Sequence, residues 1–435
     1  MKLRNYFLLS IVVGAAVACS TEDLPDVPAV RVPDAMLSLA IDVDGKLSTK
    51  ADDVNTGLVT LDERIQSLHV FVFDTDGKCI AGKDSTLAGD DLNEVSEATG
   101  NKKYKTANQV LDIPVVSGNA QVLVVANGGV NAEGYNGTLA TLCSETKATT
   151  LDTEEPGSYT MSSRIMNVSI AVGKTNCMGY TDTEVSDKTN GVSIFQEQDV
   201  NKAVKLYRSI ANVRLGNLKV SKTTKNNIGK PVKFVLDAVF VANVKSQSLL
   251  AANSTASNWG GALEMTLSKS ADWWYGAVED QTGEYKKIEG GTKKSDLLLK
   301  VPEDNVTINA DNQPQLMDNI FQVYENTGAE GYQTLLIVRG DYTYIPTGGT
   351  EEITVYDRYY TIPVNQDFDG NIIGDENYTG VGVHKGIKRN VQYNINLTIS
   401  GDGSSKAYDK DAMACINVSI DVEKWGVVNM NETLE

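Results

Sequence analysis

The sequence predicts an all-β protein made of two antiparallel Greek-key β-sandwich domains in tandem, with few short helices. Three observations favour this class. Several segments alternate apolar and polar residues, other segments are continuously apolar, and glycine-containing turn signals separate them. Long amphipathic helical patterns are scarce, so helices are not expected to contribute much of the core.

The alternating segments predict strands with one buried face. Residues 391–400 read VQYNINLTIS, residues 416–423 read INVSIDVE, and residues 37–43 read LSLAIDV. In a strand, successive side chains point to opposite faces, so a period of two places every second residue in the core. Each of these segments is therefore expected to lie at the surface of a sandwich.

The continuously apolar segments predict central strands that are buried on both faces. They are residues 68–73, 122–126 and 335–338. Turn signals interrupt the strands at Asp76-Gly77, Asn127-Gly128-Gly129, Gly348-Gly349 and Asp369-Gly370.

The N-terminal segment predicts export. Lys2 and Arg4 precede an apolar run at residues 6–17, and a run of small residues then leads to Cys19. This order is typical of a lipoprotein signal, with lipid attached to Cys19 and the signal comprising residues 1–19. A short membrane anchor, or an ordinary signal with a chance cysteine, is the alternative. No later segment is long and apolar enough to predict a transmembrane helix.

Domain limits follow from composition and strand spacing. Residues 20–50 predict a proline-containing tether followed by a first strand. Residues 51–205 and 206–435 each have a length that suits one β-sandwich. The formal net charge of −18 argues against a nucleic-acid partner, because phosphate binding needs basic surface.

The remaining cysteines give no metal-binding or redox spacing. Cys79, Cys143, Cys177 and Cys415 are widely separated, so three disulfide connectivities and the fully reduced state all stay open.

Catalytic and cofactor motifs are not found. The chain has two histidines, His69 inside a predicted strand and His384 in a glycine-rich loop, and neither lies in a hydrolase or zinc motif. We therefore expect no enzyme activity, no catalytic metal and no cofactor, although a pair of catalytic carboxylates stays open.

Two segments suggest other ligands. Asp367, Asp369, Asp375 and Glu376 supply oxygen atoms of the kind that calcium prefers, but a hairpin turn explains them equally well. The aromatic sequence at residues 273–275 is compatible with a sugar-binding platform, but a buried core position explains it more simply.

Several strings resemble the FimA-type fimbrillins, the family of type V pilins. In chain order they are IQSLHVFVFD (65–74), AQVLVVAN (120–127), RSIANVRL (208–215), FVANV (240–244), VYEN (323–326), LIVRGDY (336–342), KRN (388–390) and VEKW (422–425). The strings extend over most of the chain and follow a lipoprotein signal, which makes the resemblance fairly specific.

The resemblance implies a route of assembly. Such pilins are lipoprotein precursors on the cell outer membrane, and a trypsin-like protease removes their first strand together with the lipid. Here residues 36–44 would be that strand, with cleavage between Lys50 and Ala51. The family often has arginine at the cleavage site, and Arg31 and Lys46 are weaker candidates.

A strand of a neighbouring subunit would then fill the vacated groove. Residues 427–435 are the expected donor, because Val428, Met430 and Leu434 share one face of an extended segment, with Glu432 as the exception. The expected partners are copies of this chain, other fimbrial subunits, and host or bacterial surface ligands. A non-polymerising anchor or tip subunit, and a glycan-binding surface lipoprotein, remain alternative functions.

Overall fold

The computed structural model describes residues 32–43, 58–96, 102–144, 149–198, 202–251, 274–275, 299–300, 306–328, 332–373, 383–407 and 409–425. The described residues from Pro33 onward belong to one compact unit. Some residues singled out in the sequence lie outside the described ranges: Cys19, Arg31, Lys46, Lys50, Ala51, Trp273, Asp375, Glu376, Val428, Met430 and Leu434.

The first fourteen strands precede Ser209. They are β1 Ala35–Val43, β2 Leu58–Val59, β3 Ser67–Phe73, β4 Cys79–Thr86, β5 Glu94–Ser96, β6 Lys102–Lys105, β7 Gln109–Val115, β8 Gly118–Ala126, β9 Thr149–Thr150, β10 Met161–Ser162, β11 Met166–Ile170, β12 Thr175–Met178, β13 Gly191–Phe195 and β14 Val204–Arg208. Ten of them are connected by hydrogen bonds in the order β13-β12-β1-β14-β10-β8-β3-β4, with β7 beside β1 and β11 beside β8. The strands β2, β6 and β5 form a separate small sheet.

Twelve further strands follow. They are β15 Ile210–Val220, β16 Gly229–Ala242, β17 Val244–Lys245, β18 Gln247–Ser248, β19 Trp274–Tyr275, β20 Leu299–Lys300, β21 Val306–Asn309, β22 Gln315–Tyr324, β23 Leu335–Pro346, β24 Ile353–Pro363, β25 Val391–Ile399 and β26 Ile416–Lys424. One sheet has the order β22-β15-β25-β26, and a second has the order β20-β16-β23-β24 with β21 beside β16.

Helices are few in the described ranges. Helix α1 comprises Leu139–Leu142 and α2 comprises Asp182–Ser186, and short 3-10 turns lie at Leu61–Glu63, Gly89–Leu92, Leu151–Thr153 and Lys410–Cys415. Thr181 and Glu184 form a capping box at the start of α2. Within the described part of the chain, no helix is long and apolar enough to cross a membrane.

The all-β prediction is confirmed. The continuously apolar segments lie in β3, β8 and β23, and their apolar side chains are buried. The alternating segment at 391–400 forms β25, whose odd-numbered residues are buried and whose even-numbered residues are half-exposed. Most strand pairs are antiparallel, but β1 with β12, β1 with β14, β12 with β13 and β15 with β25 are parallel.

The two sets of sheets divide between β14 and β15 but share one apolar cluster. That cluster contains Leu37 and Val124 from the first set and Phe234 and Ile395 from the second. One short strand pair also joins the sets, because β9 is paired with β18. The domain limits 51–205 and 206–435 therefore stay a prediction.

Candidate functional site

Strand β1 and the groove that holds it form the candidate site. Its residues Met36–Leu39 pair in parallel with β12, residues Ala35–Ala40 pair antiparallel with β7, and residues Ile41–Val43 pair in parallel with β14. Among the described strands, β1 alone links β12 and β13 to β14 and the strands beyond it, and β7 pairs with β1 alone. The first strand thus connects the pieces of its own sheet.

One face of β1 is entirely apolar. Leu37, Leu39, Ile41 and Val43 are between 0 and 4 % exposed and belong to the main apolar cluster. Burying such side chains contributes about 1.5–3 kcal/mol each, so the four together contribute about 6–12 kcal/mol as an upper estimate. The apolar face therefore contributes strongly to holding β1 in the groove.

The opposite face of β1 makes selective polar contacts. The hydroxyl Oγ of the fully buried Ser38 accepts a hydrogen bond of 3.1 Å from the backbone N–H of Asp112. Asp112 has a φ of 56° and lies where β7 bulges against β1. Four residues along β1, a carboxylate oxygen of Asp42 lies 3.2 Å from Nζ of Lys205 in β14. These two contacts fix the register of β1.

Buried side chains also bind the backbone of β1. Asn176 donates from Nδ2 to the carbonyl of Met36 at 3.2 Å, and its own Oδ1 accepts the N–H of Ala171. The hydroxyl of Tyr180 donates to the carbonyl of Leu39 at 3.3 Å. Burial raises the pKa of Tyr180 to about 12, so this hydroxyl keeps its proton at physiological pH.

Gly179 lets the backbones meet where β1 passes from β12 to β14. A Cβ atom at this position would lie 2.3 Å from the carbonyl oxygen of Ala40 and 2.7 Å from the nitrogen of Val204. Its φ of +78° also favours glycine. No other residue type fits this crossing without moving β1 or β14.

Asp34 fixes the start of the strand. Its carboxylate accepts hydrogen bonds from the N–H of Ser117 at 2.6 Å and from the hydroxyl of Ser117 at 2.8 Å. These hydrogen bonds lower the pKa of Asp34. Its backbone N–H donates to Val115 and its carbonyl accepts from Gly173. Sequence analysis missed Asp34, although an acidic residue directly before an alternating strand is a recognisable signal.

The expected first strand is present, and other predicted sites are not described. The strand predicted at residues 36–44 is β1, Ala35–Val43, and its buried residues are those that the alternation predicts. Its removal stays a prediction, as do lipidation of Cys19, cleavage between Lys50 and Ala51, and donation by Val428, Met430 and Leu434.

The fold brings His69 into an arrangement that sequence reasoning missed. Its Nδ1 lies 2.7 Å from Asp84 Oδ1, and its Nε2 lies 3.0 Å from Ser67 Oγ. This order of groups occurs in hydrolase triads. The only sequence signal was a serine two residues before a histidine on one strand.

The surroundings of His69 favour a structural role. Asp84 accepts the N–H groups of Ala132 and Glu133, so it fastens the loop before α1 to the sheet. The N–H groups of Gln66 and Ser67 both donate to Asn127 Oδ1, so these two donors are occupied rather than available to an oxyanion. His69 itself is buried.

The other candidate ligand groups have local partners. His384 Nε2 lies 2.6 Å from the hydroxyl of Tyr393. The carboxylate of Asp367 accepts the backbone and side-chain N–H groups of Asn371, which is a turn arrangement. In the part of the chain that the structure describes, no group of three or more His, Cys, Asp or Glu residues is placed to hold a metal ion.

The four described cysteines are free thiols. Cys143, Cys177 and Cys415 are buried and Cys79 is half-buried. Burial raises the pKa of all four thiols, to about 11 for Cys143. Such thiols are poor nucleophiles at neutral pH.

Solved structures share the fold. A candidate cell adhesion protein of Parabacteroides distasonis is 25% identical, with a TM-score of 0.54 over 91% of this chain and 99% of that chain. A fimbrilin (FimA) of Porphyromonas gingivalis is 20% identical, with a TM-score of 0.55 over 92% of this chain and 99% of that chain.

A family model identifies the region around the groove. The model of the major fimbrial subunit protein (FimA) matches residues 35–208, which begin with the first residue of β1 and end with the last residue of β14. The match thus contains the whole groove and confirms the resemblance that the sequence strings predict. Residues 35–208 are therefore the part of the chain that is similar to the major fimbrial subunit protein FimA.

Proposed function

We propose that this chain is a structural subunit of a cell-surface fimbria that supports adhesion. The family match supports a structural, non-enzymatic role. The observation that carries the finer proposal is the position of β1. It is the first strand of the matched region, it is bound along its length, and it links the strands around it. Its loss would expose unpaired N–H and C=O groups and an apolar trench.

The precursor is exported with lipid on Cys19 and is anchored to the cell outer membrane. A trypsin-like protease then cuts after Lys50, so that the mature chain starts at Ala51 without its lipid and β1. Residues 427–435 of a neighbouring subunit fill the groove, with Val428, Met430 and Leu434 on the apolar face. Three such side chains contribute on the order of 5 kcal/mol. The contact runs head to tail, so it extends a filament instead of closing a dimer.

The N-terminal residue of the surface protein tests the processing step. Intact-mass spectrometry is expected to find a chain that starts at Ala51, and Cys19→Ala is expected to abolish membrane anchoring. Lys50→Ala should block maturation, whereas Lys46→Ala should not. A surface protein that still starts at Cys19 would identify a non-polymerising anchor instead, and a start within β3 would exclude both forms.

Paired substitutions in the donor segment test polymerisation. Val428→Asp, Met430→Asp and Leu434→Asp place charge on the face that enters the groove, and each should reduce fibre length in electron micrographs. Asn431→Asp is the matched control on the other face and should leave fibres in place. Normal fibres after deletion of residues 427–435 would show that another segment is the donor.

A further inference from the structure

The polar face of the groove distinguishes between two directions of an incoming strand. The groove offers the N–H of Asp112 at the position of Ser38 and the ammonium group of Lys205 at the position of Asp42. Both groups donate hydrogen bonds. A strand that binds both groups needs a small side chain with a hydrogen-bond acceptor at the position of Ser38. It needs a longer side chain with an acceptor at the position of Asp42, and both side chains must lie on the face opposite its apolar residues.

Segment 427–435 meets this requirement in one direction only. If it runs in the direction of β1, with Val428 in place of Leu37, then Asn429 takes the buried position of Ser38. Thr433 then faces Lys205. If it runs in the opposite direction, with Leu434 in place of Leu37, then Thr433 takes the position of Ser38 and Asn429 faces Lys205.

The opposite direction fits the chemistry better. Threonine keeps the hydroxyl of Ser38 and adds one methyl group, whereas asparagine would bring a larger amide into a site that is 0 % exposed. The amide oxygen of Asn429 also reaches further toward Lys205 than the hydroxyl of Thr433 does. Glu432 takes the position of Leu39 in the opposite direction and the position of Ile41 in the direction of β1. Both positions are buried and apolar, so Glu432 does not discriminate between the two directions.

Backbone pairing favours the same direction. Strand β1 is parallel to β12 and β14 and antiparallel to β7. A reversed strand would be antiparallel to β12 and β14 and parallel only to β7. Antiparallel pairing is slightly more stable per residue, so reversal strengthens pairing with two neighbours and weakens it with one.

We propose that segment 427–435 of one subunit enters the groove of the next antiparallel to the β1 strand that it replaces, with Thr433 bound at Asp112 and Asn429 bound at Lys205. This proposal rests on the proposed strand exchange and adds its direction and its specificity-determining residues. Lys205 and the bulge at Asp112 then exclude strands that carry bulky or basic residues at these two positions.

Cysteine pairs in assembled fibres test the direction. Thr175 is the register partner of Met36. In the proposed direction Glu435 takes the position of Met36, and in the direction of β1 Val427 does. Oxidised fibres of the full chain with Thr175→Cys and Glu435→Cys are expected to give a ladder on non-reducing gels, because neighbouring strands place Cα atoms within disulfide range. Thr175→Cys alone measures the background from the native thiols.

The outcomes separate the two proposals. A ladder from Thr175→Cys combined with Val427→Cys would overturn the proposed antiparallel direction. If fibres form but neither cysteine pair gives a ladder, the proposed direction is overturned as well. If the wild-type chain forms no fibres, the proposed strand exchange itself fails.

A double-mutant cycle tests the role of Lys205. Asn429→Asp places a carboxylate opposite Lys205 and is expected to slow subunit dissociation about five-fold. In the Lys205→Met background that gain should vanish. Asn431→Asp, at the position of Ala40, is the matched control and should give no gain. Equal effects of Asn429→Asp with and without Lys205 would overturn the assignment.

Discussion

Glu154 is a single buried residue that joins the two sets of sheets. Its carboxylate accepts hydrogen bonds from the N–H of Thr160 at 2.8 Å, from the hydroxyl of Ser209 at 3.0 Å and from the hydroxyl of Tyr324 at 2.9 Å. Thr160 precedes the division between the sets and Tyr324 follows it. Burial nevertheless raises the pKa of Glu154, because desolvation outweighs these hydrogen bonds.

Replacing Glu154 with glutamine should change how stability depends on pH. A carboxyl with a raised folded-state pKa stabilises the protein fully below its unfolded pKa of about 4.5, and this contribution is lost as pH rises through the folded value. Glutamine does not titrate. The melting temperature of Glu154→Gln relative to wild type should therefore rise between pH 4 and pH 8. Glu155→Gln, at an exposed neighbouring position, is the control, and a difference that stays constant with pH would contradict the prediction.

Gly179 gives a second prediction at the scale of one residue. Gly179→Ala should destabilise β1 by a few kcal/mol, because the added Cβ meets backbone atoms of both Ala40 and Val204. Gly173→Ala is a matched control, since its φ is also positive but an added Cβ would have no atom within 4 Å. Hydrogen exchange of the β1 amides should therefore accelerate far more in Gly179→Ala than in Gly173→Ala. If the β1 amides exchange equally fast in both variants, the destabilisation comes from the positive φ and not from contacts of the added Cβ atom.

At the scale of the element, β1 should stay bound after its connection to the chain is cut. Limited trypsin cleavage after Lys50 should leave the β1 fragment associated during gel filtration, because four buried apolar side chains contribute about 6–12 kcal/mol. Leu39→Asp should release the fragment, whereas Met36→Asp, at an exposed position, should retain it. Spontaneous release of the wild-type fragment would show that the groove holds β1 weakly. Retention implies that a competing strand is needed to displace it.

Periodicity predicted the strands but not their neighbours. The alternation of Leu37, Leu39 and Ile41 is a local property, and it correctly predicted the buried face of β1. Pairing with β7, β12 and β14 depends on residues far along the chain. The contacts of Ser38 with Asp112 and of Asp42 with Lys205 therefore have no local signal. The parallel pairs were missed for the same reason, since alternation does not encode strand direction.

The candidate site could be predicted from sequence only where its signal lies within one continuous segment. The alternation that places Leu37, Leu39 and Ile41 in the groove is such a case, and so is the family resemblance. The cluster of Ser67, His69 and Asp84 needed the β3–β4 register to become visible, because Asp84 lies directly opposite His69 on the neighbouring strand. Register depends on the turn and on the packing of both strands, which the sequence of one strand does not contain.

At the scale of the molecule, the contacts between the two sets of sheets bear on how the protein unfolds. The guanidinium of Arg208, in β14, donates to the carbonyl of Asp62 and to Asn390 Oδ1, and it lies over the ring of Trp425. Trp425 also contacts the ring of Tyr159. Asp62 and Tyr159 belong to the first set, whereas Asn390 and Trp425 belong to the second. Arg208 thus ties the two sets at a buried position.

We expect residues 33–435 to unfold in one cooperative transition, although their sheets divide at Ser209. The shared apolar cluster and the buried polar contacts would be lost together if either set opened. In scanning calorimetry the calorimetric enthalpy should equal the van't Hoff enthalpy. Arg208→Ala should lower the single melting temperature, since each lost charged hydrogen bond costs about 1.5–3 kcal/mol.

Arg339→Ala is the control for this last prediction. Arg339 pairs with Asp237 inside the second set, and both side chains are more than a third exposed, so its loss should shift the transition little. Two resolved transitions in the wild-type protein would show that the sets are thermodynamically separate domains. If Arg208→Ala splits one transition into two, then Arg208 is what makes the sets cooperative, and the boundary between them lies close to β14.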